Sequence, residues 1–405
     1  MIEKIQMAGM DEMVAEFRRK LALYLHVPFC RRRCSYCDFN TYAGLEHLIG
    51  PYTAALATEI RRAGRGERAA TIFLGGGTPS ILPIALAADL LAACRDAFAV
   101  EADAEISLEA NPGTVDADKL AGLRRLGVNR LSFGVQSAHA AELELLGRLH
   151  TFEQAAEAVH MARVAGFDNL SLDLIYGLPR QSLAHWQATL NAAIDLSPDH
   201  LSAYCLTVED GTPLAEWVAT GHAPEPDPDL AAEMYELAAA ALGAAGFTHY
   251  EISNWARPGR ECRHNLVYWR NGEYLGFGAG AHSHRNVRSR REPVERRWWN
   301  VLAPAEYIAR VEAGRSAEAG GEEVSPTQAM GETMMLGLRL RDGISADVFY
   351  TRFGRALGEV YGRELDELTT QGLVEWDERC VRLTARGRLL GNQVFMWFVE
   401  AGVNG

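Results

Sequence analysis

The stretch that decides the fold reads Leu21-Ala-Leu-Tyr24-Leu-His26-Val27-Pro28-Phe29-Cys30-Arg-Arg-Arg-Cys34-Ser-Tyr36-Cys37. The run Leu21 to Val27 is apolar and β-rich, and three cysteines follow it at CxxxCxxC spacing in the loop that leaves the strand. Three thiolates from one loop converge on a single small inorganic cluster. Three ligands for four irons leave one iron open, unlike electron-carrying ferredoxins with four cysteines per cluster and unlike structural zinc, which closes a shell of four ligands. A zinc site completed by His26 or His47 is the competing reading.

Working outward, short β-rich runs alternate with Ala/Leu-rich stretches of helical period as far as about Thr207. The runs Leu21 to Val27, Thr71 to Gly75, Glu105 to Ala110, Arg130 to Val135, Asn169 to Ile175 and His200 to Leu206 predict six strands. Helices are expected over Pro51 to Ala63, Pro83 to Phe98, Asp116 to Leu126, Phe152 to Ala165 and Ser182 to Leu196. Repeated βα units make a parallel sheet, and such sheets bind ligands beyond the carboxyl ends of their strands. Those ends carry the cysteines, then Gly75 to Thr78, Glu109 with Asn111, Gln136, Asp173 and Thr207.

The chain has 405 residues with ordinary globular composition, 48% hydrophobic and 23% charged, which argues against wholesale disorder, a collagen-like repeat and a coiled coil. Forty Lys plus Arg against 53 Asp plus Glu give a net charge of −13, which argues against a general nucleic-acid coat. Seven cysteines, three of them crowded into positions 30 to 37, suggest a metal site in a reducing compartment rather than a disulfide framework. No run of about 18 apolar residues supports a membrane span, and Met1 to Lys20 lacks the apolar core of a signal peptide. A cytoplasmic location is expected.

After Gly211 the regularity fades. A proline-rich connector at Ala223 to Asp229 leads to a helix over about Leu230 to Gly243 and a short strand near Thr248 to Ile252. The aromatic, Gly- and His-rich segment Arg260 to His284 follows. From about Glu322 a compact helical unit ends in a hairpin over Leu373 to Leu383, turning at Asp377 to Arg379. The expected organisation is an extension over 1–20, a barrel over 21–260, a connecting segment over 261–320 and an accessory domain over 321–405.

CxxxCxxC with the aromatic Tyr36 before its last cysteine resembles the radical S-adenosylmethionine (SAM) superfamily. The resemblance implies an α/β fold, a partial (β/α)6 barrel, with Cys30, Cys34 and Cys37 holding a 4Fe-4S cluster whose open iron takes the amino and carboxylate groups of SAM. Tyr24-Leu-His-Val-Pro-Phe-Cys30, Gly75-Gly-Gly-Thr-Pro79, Glu109-Ala-Asn-Pro112, Arg130 to Gln136 and Asp173 to Pro179 are similar to the coproporphyrinogen-dehydrogenase-like group, as is the C-terminal, winged-helix-like accessory domain. By that resemblance the SAM-binding positions are Tyr24, Tyr36, Gly76, Gly77, Thr78, Glu109, Gln136, Arg148 and Asp173. Gly75 to Gly77 let the backbone approach the methionyl amino group, Glu109 and Asp173 offer acceptors, and Arg148 can pair with a carboxylate. Read alone, the glycines make a tight turn and the charges a solvated face or a barrel-mouth ion pair.

The dehydrogenase pattern is CxxxCxxCxC, whereas here Phe39 replaces the additional cysteine. That departure moves the resemblance to the HemW-type heme chaperones, which are thought to lack the dehydrogenase activity. His264-Asn265-Leu-Val-Tyr268-Trp269 is similar to that group's HNxxYW-like motif. His264 would give heme iron an imidazole, Asn265 would set its tautomer, and Tyr268 and Trp269 would wall the macrocycle. A satisfied core histidine is the alternative, and Cys262, Tyr268, His282 and His284 are competing ligands.

Gly276-Phe-Gly-Ala-Gly-Ala281 fits a dinucleotide fingerprint superficially, but no helical period follows it, so a Gly-rich loop near the cluster or heme is expected. Six Arg and two Glu between Arg285 and Arg297, then Trp298 and Trp299, form a local basic segment for heme propionates, anionic lipid, an acidic partner face or solvent alone. The expected function is heme binding and delivery to client hemoproteins such as respiratory-chain components, with 4Fe-4S, SAM and heme as cofactors. Nucleic acid is not an expected partner; peripheral contact with the inner face of the membrane and a homodimer are compatible with the reading. The alternatives are oxygen-independent coproporphyrinogen III dehydrogenation or another radical conversion of a tetrapyrrole, and a zinc-stabilised binding module.

Overall fold

Six parallel strands, each hydrogen-bonded to the next in chain order, form the centre of the molecule: β1 (Leu21–Val27), β2 (Arg68–Gly76), β3 (Ala99–Ala110), β4 (Arg130–Gln136), β5 (Leu170–Tyr176) and β6 (His200–Cys205). The computed structural model describes residues 21–288 and 293–401; the extension over 1–20 and the tip of the Arg-rich segment, with Arg290 and Arg291, lie outside the described residues. Six of the seven residues of β1 are buried, as expected for a central parallel strand covered on both faces.

Each of the first five strands is followed by a helix: α1 (Ile49–Ala63), α2 (Ile84–Ala97), α3 (Ala117–Arg125), α4 (Phe152–Val164) and α5 (Leu183–Asp195). The later helices begin where a polar side chain satisfies a free backbone N–H. The Asp116 carboxylate accepts from the Lys119 N–H, Thr151 and Gln154 form a reciprocal capping box, and Ser182 accepts from the His185 N–H. Tyr52, Leu56 and Ile60 of α1 and Leu90, Leu91 and Cys94 of α2 recur at helical spacing and are buried in the core cluster that includes the sheet residues Leu23, Leu25, Ile72 and Leu74.

The sheet continues beyond these six strands to a total of twelve. Beyond β6 lie two short antiparallel strands, β7 (Thr248–Glu251) and β8 (Asn254–Ala256). On the other edge β9 (Tyr274–Phe277) pairs in parallel with β1, setting Tyr24 opposite Gly276. The antiparallel strands β10 (His282–Arg288), β11 (Pro293–Asn300) and β12 (Glu318–Val324) follow it. Periodicity did not announce these last strands because β12 reads Glu-Ala-Gly-Gly-Glu-Glu-Val, without apolar alternation. Ion pairs between neighbouring strands accompany that ladder: Arg296 Nη2 lies 2.5 Å from Glu318 Oε1 and Arg297 Nη1 lies 3.2 Å from Glu322 Oε1.

A second core, including Met334, Phe349, Leu365, Val381 and Phe398, belongs to the C-terminal unit. Its helices surround a three-stranded sheet of Ile344–Ser345, Cys380–Leu383 and Val374–Trp376, whose last two strands form the hairpin expected from sequence.

Candidate functional site

The carboxyl ends of β1 to β4 carry the chemistry. Beyond β1, Pro28 turns the chain into the loop of Cys30, Cys34 and Cys37, all three free thiols and partly exposed. Among the contacts that hold that loop, Thr78 Oγ1 donates to Cys30 Sγ at 3.5 Å, Arg148 Nη1 donates to Cys34 Sγ at 3.4 Å, and the Ser35 N–H donates to Leu146 O at 3.2 Å. His26 is closed to a metal. Its Nε2 donates to Asn40 O at 2.9 Å, so its Nδ1 is the acceptor of the Tyr24 hydroxyl at 3.0 Å. Among the described residues, no three His, Cys, Asp or Glu side chains are arranged to hold a single ion. Cluster ligation differs from a zinc shell in that each thiolate binds a different iron.

The Gly75-Gly76-Gly77 turn of β2 lies directly under this loop. The Gly77 N–H donates to Val27 O and the Thr78 N–H to Phe29 O, each at 2.9 Å. A Cβ on Gly77 would stand 2.7 Å from Phe29 O and 3.0 Å from Cys30 Sγ, so only glycine admits the cysteine loop at this distance. Gly76 has φ +111, and a Cβ there would meet the His26 ring at 2.5 Å.

Glu109, on β3, accepts the Gly76 N–H at 3.0 Å. Burial, reinforced by the Asp173 carboxylate, pushes its pKa up to about 7. Asp173, on β5, is held by Ser132 Oγ at 3.0 Å to each oxygen and by Ser171 Oγ at 3.4 Å, and burial raises its pKa. Gln136 ends β4 with φ +69, a conformation uncommon for a non-glycine residue. Arg148 donates through Nη2 to Gly134 O at 2.7 Å, while its Nε is buried without a hydrogen-bond partner. Tyr36 packs against Leu146, Leu178 and their neighbours in a small apolar cluster beside the cysteine loop.

The residues expected to bind heme separate. His264, on the short helix α6 (Arg263–Trp269), is only 1% exposed. Its ring stacks on Phe73 at 5.0 Å, its Nδ1 is hydrogen-bonded to Thr71 Oγ1 at 2.8 Å and its Nε2 to the Tyr268 hydroxyl at 2.9 Å. Burial pushes its pKa down to about 3. With both nitrogens occupied, His264 presents no lone pair to an iron in this conformation. Thr71 and Tyr268, not Asn265, orient the imidazole. Trp269 lies under the Arg339 guanidinium at 4.4 Å. Of the motif, Tyr268 alone lines the cavity at the ends of β1 and β2.

That cavity, of about 360 Å³, is bounded by Tyr24, Gly76 and Glu109 on one side and by Phe39, Tyr268, Tyr274 and His282 on others. A smaller cleft beside it joins Cys34, Thr78 and Arg148 with Arg31. The Gly-rich loop 276–281 packs on the residues after the cysteines, where Asn40 Nδ2 donates to Ala279 O at 3.1 Å.

Two family models match parts of the chain. The radical SAM superfamily model matches residues 24–193, and the HemN C-terminal domain model matches 324–390. The heme chaperone HemW of Mycobacterium tuberculosis is 40% identical over 378 residues, covering 92% of this chain and 93% of that protein. The chain belongs to the HemW family. The HemW of Bacillus subtilis is 38% identical over 381 residues, covering 93% of this chain and 98% of its own. The radical SAM enzyme coproporphyrinogen III oxidase (HemN) of Escherichia coli superposes with a TM-score of 0.79 at 26% identity, covering 96% of this chain and 92% of that one.

Membership of this radical SAM family implies a 4Fe-4S cluster and SAM. The residues present fit both: free cysteines at the barrel rim, a glycine cradle that a Cβ would fill, and a buried Arg148 Nε without a partner beside Cys34. Three described arginines of the Arg-rich segment are engaged in ion pairs. Arg285 pairs with Glu67 at 3.1 Å, Arg296 with Glu318 and Arg297 with Glu332, the last two at 2.5 Å. Among the described residues no helix is long and apolar enough to cross a membrane. Sequence reasoning passed over Asn40 and Tyr274 as cavity residues; the only signal was their proximity to Cys37 and to the Gly-rich loop.

Proposed function

We propose that this protein binds heme in the cavity at the barrel rim and passes it to client hemoproteins, with respiratory enzymes as the expected clients. The observation that carries the reading is Phe39. It is 65% exposed, lines the cavity, and stands where the dehydrogenase pattern has a further cysteine. An exposed aromatic side chain on a cavity wall suits a flat apolar macrocycle, whereas a thiol there would suit chemistry. Kinship with HemW proteins supports the same reading.

When bound, the cluster offers an open iron to the amino and carboxylate groups of SAM. The chain's own contribution is positional. Gly76 and Gly77 bring backbone close to the cofactor, Glu109 supplies an acceptor for its ammonium, and Arg148 steadies the cysteine loop through Cys34. Tyr24, Gly76 and Glu109, which line the cavity, would hold heme beside the SAM position, so that occupancy of one would bear on release of the other.

The test is anaerobic reconstitution followed by iron and sulfide analysis, hemin titration and transfer to an apo-hemoprotein. Saturable heme binding with transfer is the expected result. Protoporphyrinogen formation from coproporphyrinogen III with SAM and reductant would overturn the chaperone reading, and zinc without sulfide would overturn both radical SAM readings.

A further inference from the structure

We propose that His282, at the mouth of the cavity, is the residue that ligates the iron of bound heme, while His264 supports the cavity from beneath. The inference rests on the heme-binding reading and assigns its ligand. An iron porphyrin needs a flat apolar slot and one donor atom with a free lone pair aimed into it. The other imidazoles near the cavity, and the thiol of Cys262, are committed. His26 and His264 have both ring nitrogens engaged. His284 is buried, its ring held between Gly272 O at 3.2 Å and Glu295 Oε1 at 2.7 Å. Cys262 is fully buried against Glu105.

His282 differs in each respect. It is exposed, it lines the cavity, and its ring hydrogen-bonds to no other described residue. The ring is also backed. It pairs across the strands with Trp299, 5.8 Å away between centroids at 30°, and Trp299 is itself confined because a Cβ on Gly320 would come within 2.7 Å of its ring. Gly280 and Ala281, just before His282, leave the cavity mouth free of bulk, and Phe39 and Tyr274 supply aromatic walls. A strand residue whose ring lies against a confined neighbour has less rotamer entropy left to lose when it binds a metal.

Hemin titration of the reconstituted full-length chain, followed by Soret absorbance and EPR, tests the assignment with wild type, His282→Ala and His282→Gln. Both variants are expected to lose the imidazole-ligation signature and to bind heme at least tenfold more weakly, with cluster absorbance and far-UV CD unchanged. Added free imidazole should restore the wild-type spectrum of His282→Ala. Wild-type spectrum and affinity in both variants would overturn the assignment, leaving heme binding itself intact. No saturable binding by the wild type would instead overturn the heme reading on which the assignment rests.

Discussion

The Glu109 carboxylate accepts the backbone N–H of Gly76 at 3.0 Å, so the end of β3 closes the glycine turn of β2 with an acceptor aimed at the cavity. Its pKa, pushed up to about 7 by burial and Asp173, ties cofactor binding to pH. The SAM ammonium needs the ionised form, so SAM affinity is expected to weaken as pH falls below about 7 and to level off above it. Glu109→Gln should bind SAM at least tenfold more weakly with little pH dependence. Calorimetric titration of reconstituted protein between pH 6 and 8 measures both, and a pH-independent wild type would refute the role.

Stability carries the same signature. A glutamate that ionises near 4.5 when unfolded and near 7 when folded leaves the native chain holding more protons in between, so stability falls as pH rises across that window. Urea unfolding of the metal-free chain should show this slope, reduced in Glu109→Gln.

His264 is expected to matter for folding. Its Ala variant removes a stacked ring and strands the Thr71 and Tyr268 hydroxyls, at a cost of about 2–4 kcal/mol in urea unfolding. Because its folded pKa of about 3 lies below the ordinary 6.5, the folded chain binds fewer protons between those values, and stability declines as pH drops from 6.5 toward 3. A variant as stable as wild type would contradict the buried placement.

Gly77→Ala forces a Cβ to 3.0 Å from Cys30 Sγ and 2.7 Å from Phe29 O. Backbone cannot yield there without moving the cysteine loop. Iron and sulfide per chain should fall severalfold after reconstitution while far-UV CD is retained; full cluster loading would show that the approach is slack.

Phe39→Ala removes an exposed ring and should change stability by no more than about 0.5 kcal/mol. Heme affinity should nevertheless drop about tenfold, read by Soret titration. Equal loss of stability and affinity would mean the ring serves the fold rather than the cavity.

Much of the fold was legible because its signals are local. Each of the six central strands contains a short apolar run, and the helices after the first five show their period locally, some with their starts written in adjacent residues, such as Thr151 and Gln154. The added strands were not legible: β9 spans four residues, and β12 is mostly glutamate and glycine. Their place depends on partners far along the chain, including Glu332, which lies on a helix and pairs with Arg297 of β11.

By itself the sequence determined the cysteine spacing, the glycine turn that fits beneath it and the replacement at Phe39, since a loop's ligand spacing and a glycine's missing Cβ are properties of neighbouring residues. Tertiary structure alone decided which histidine is free. His264 carries the motif, yet Thr71, 193 residues away, and Tyr268 occupy its nitrogens, while His282 carries no motif and keeps its ring exposed at the cavity. Hydrogen-bond occupancy is set by whatever the fold brings within about 3 Å, and that depends on which strands pair rather than on the residues next in line.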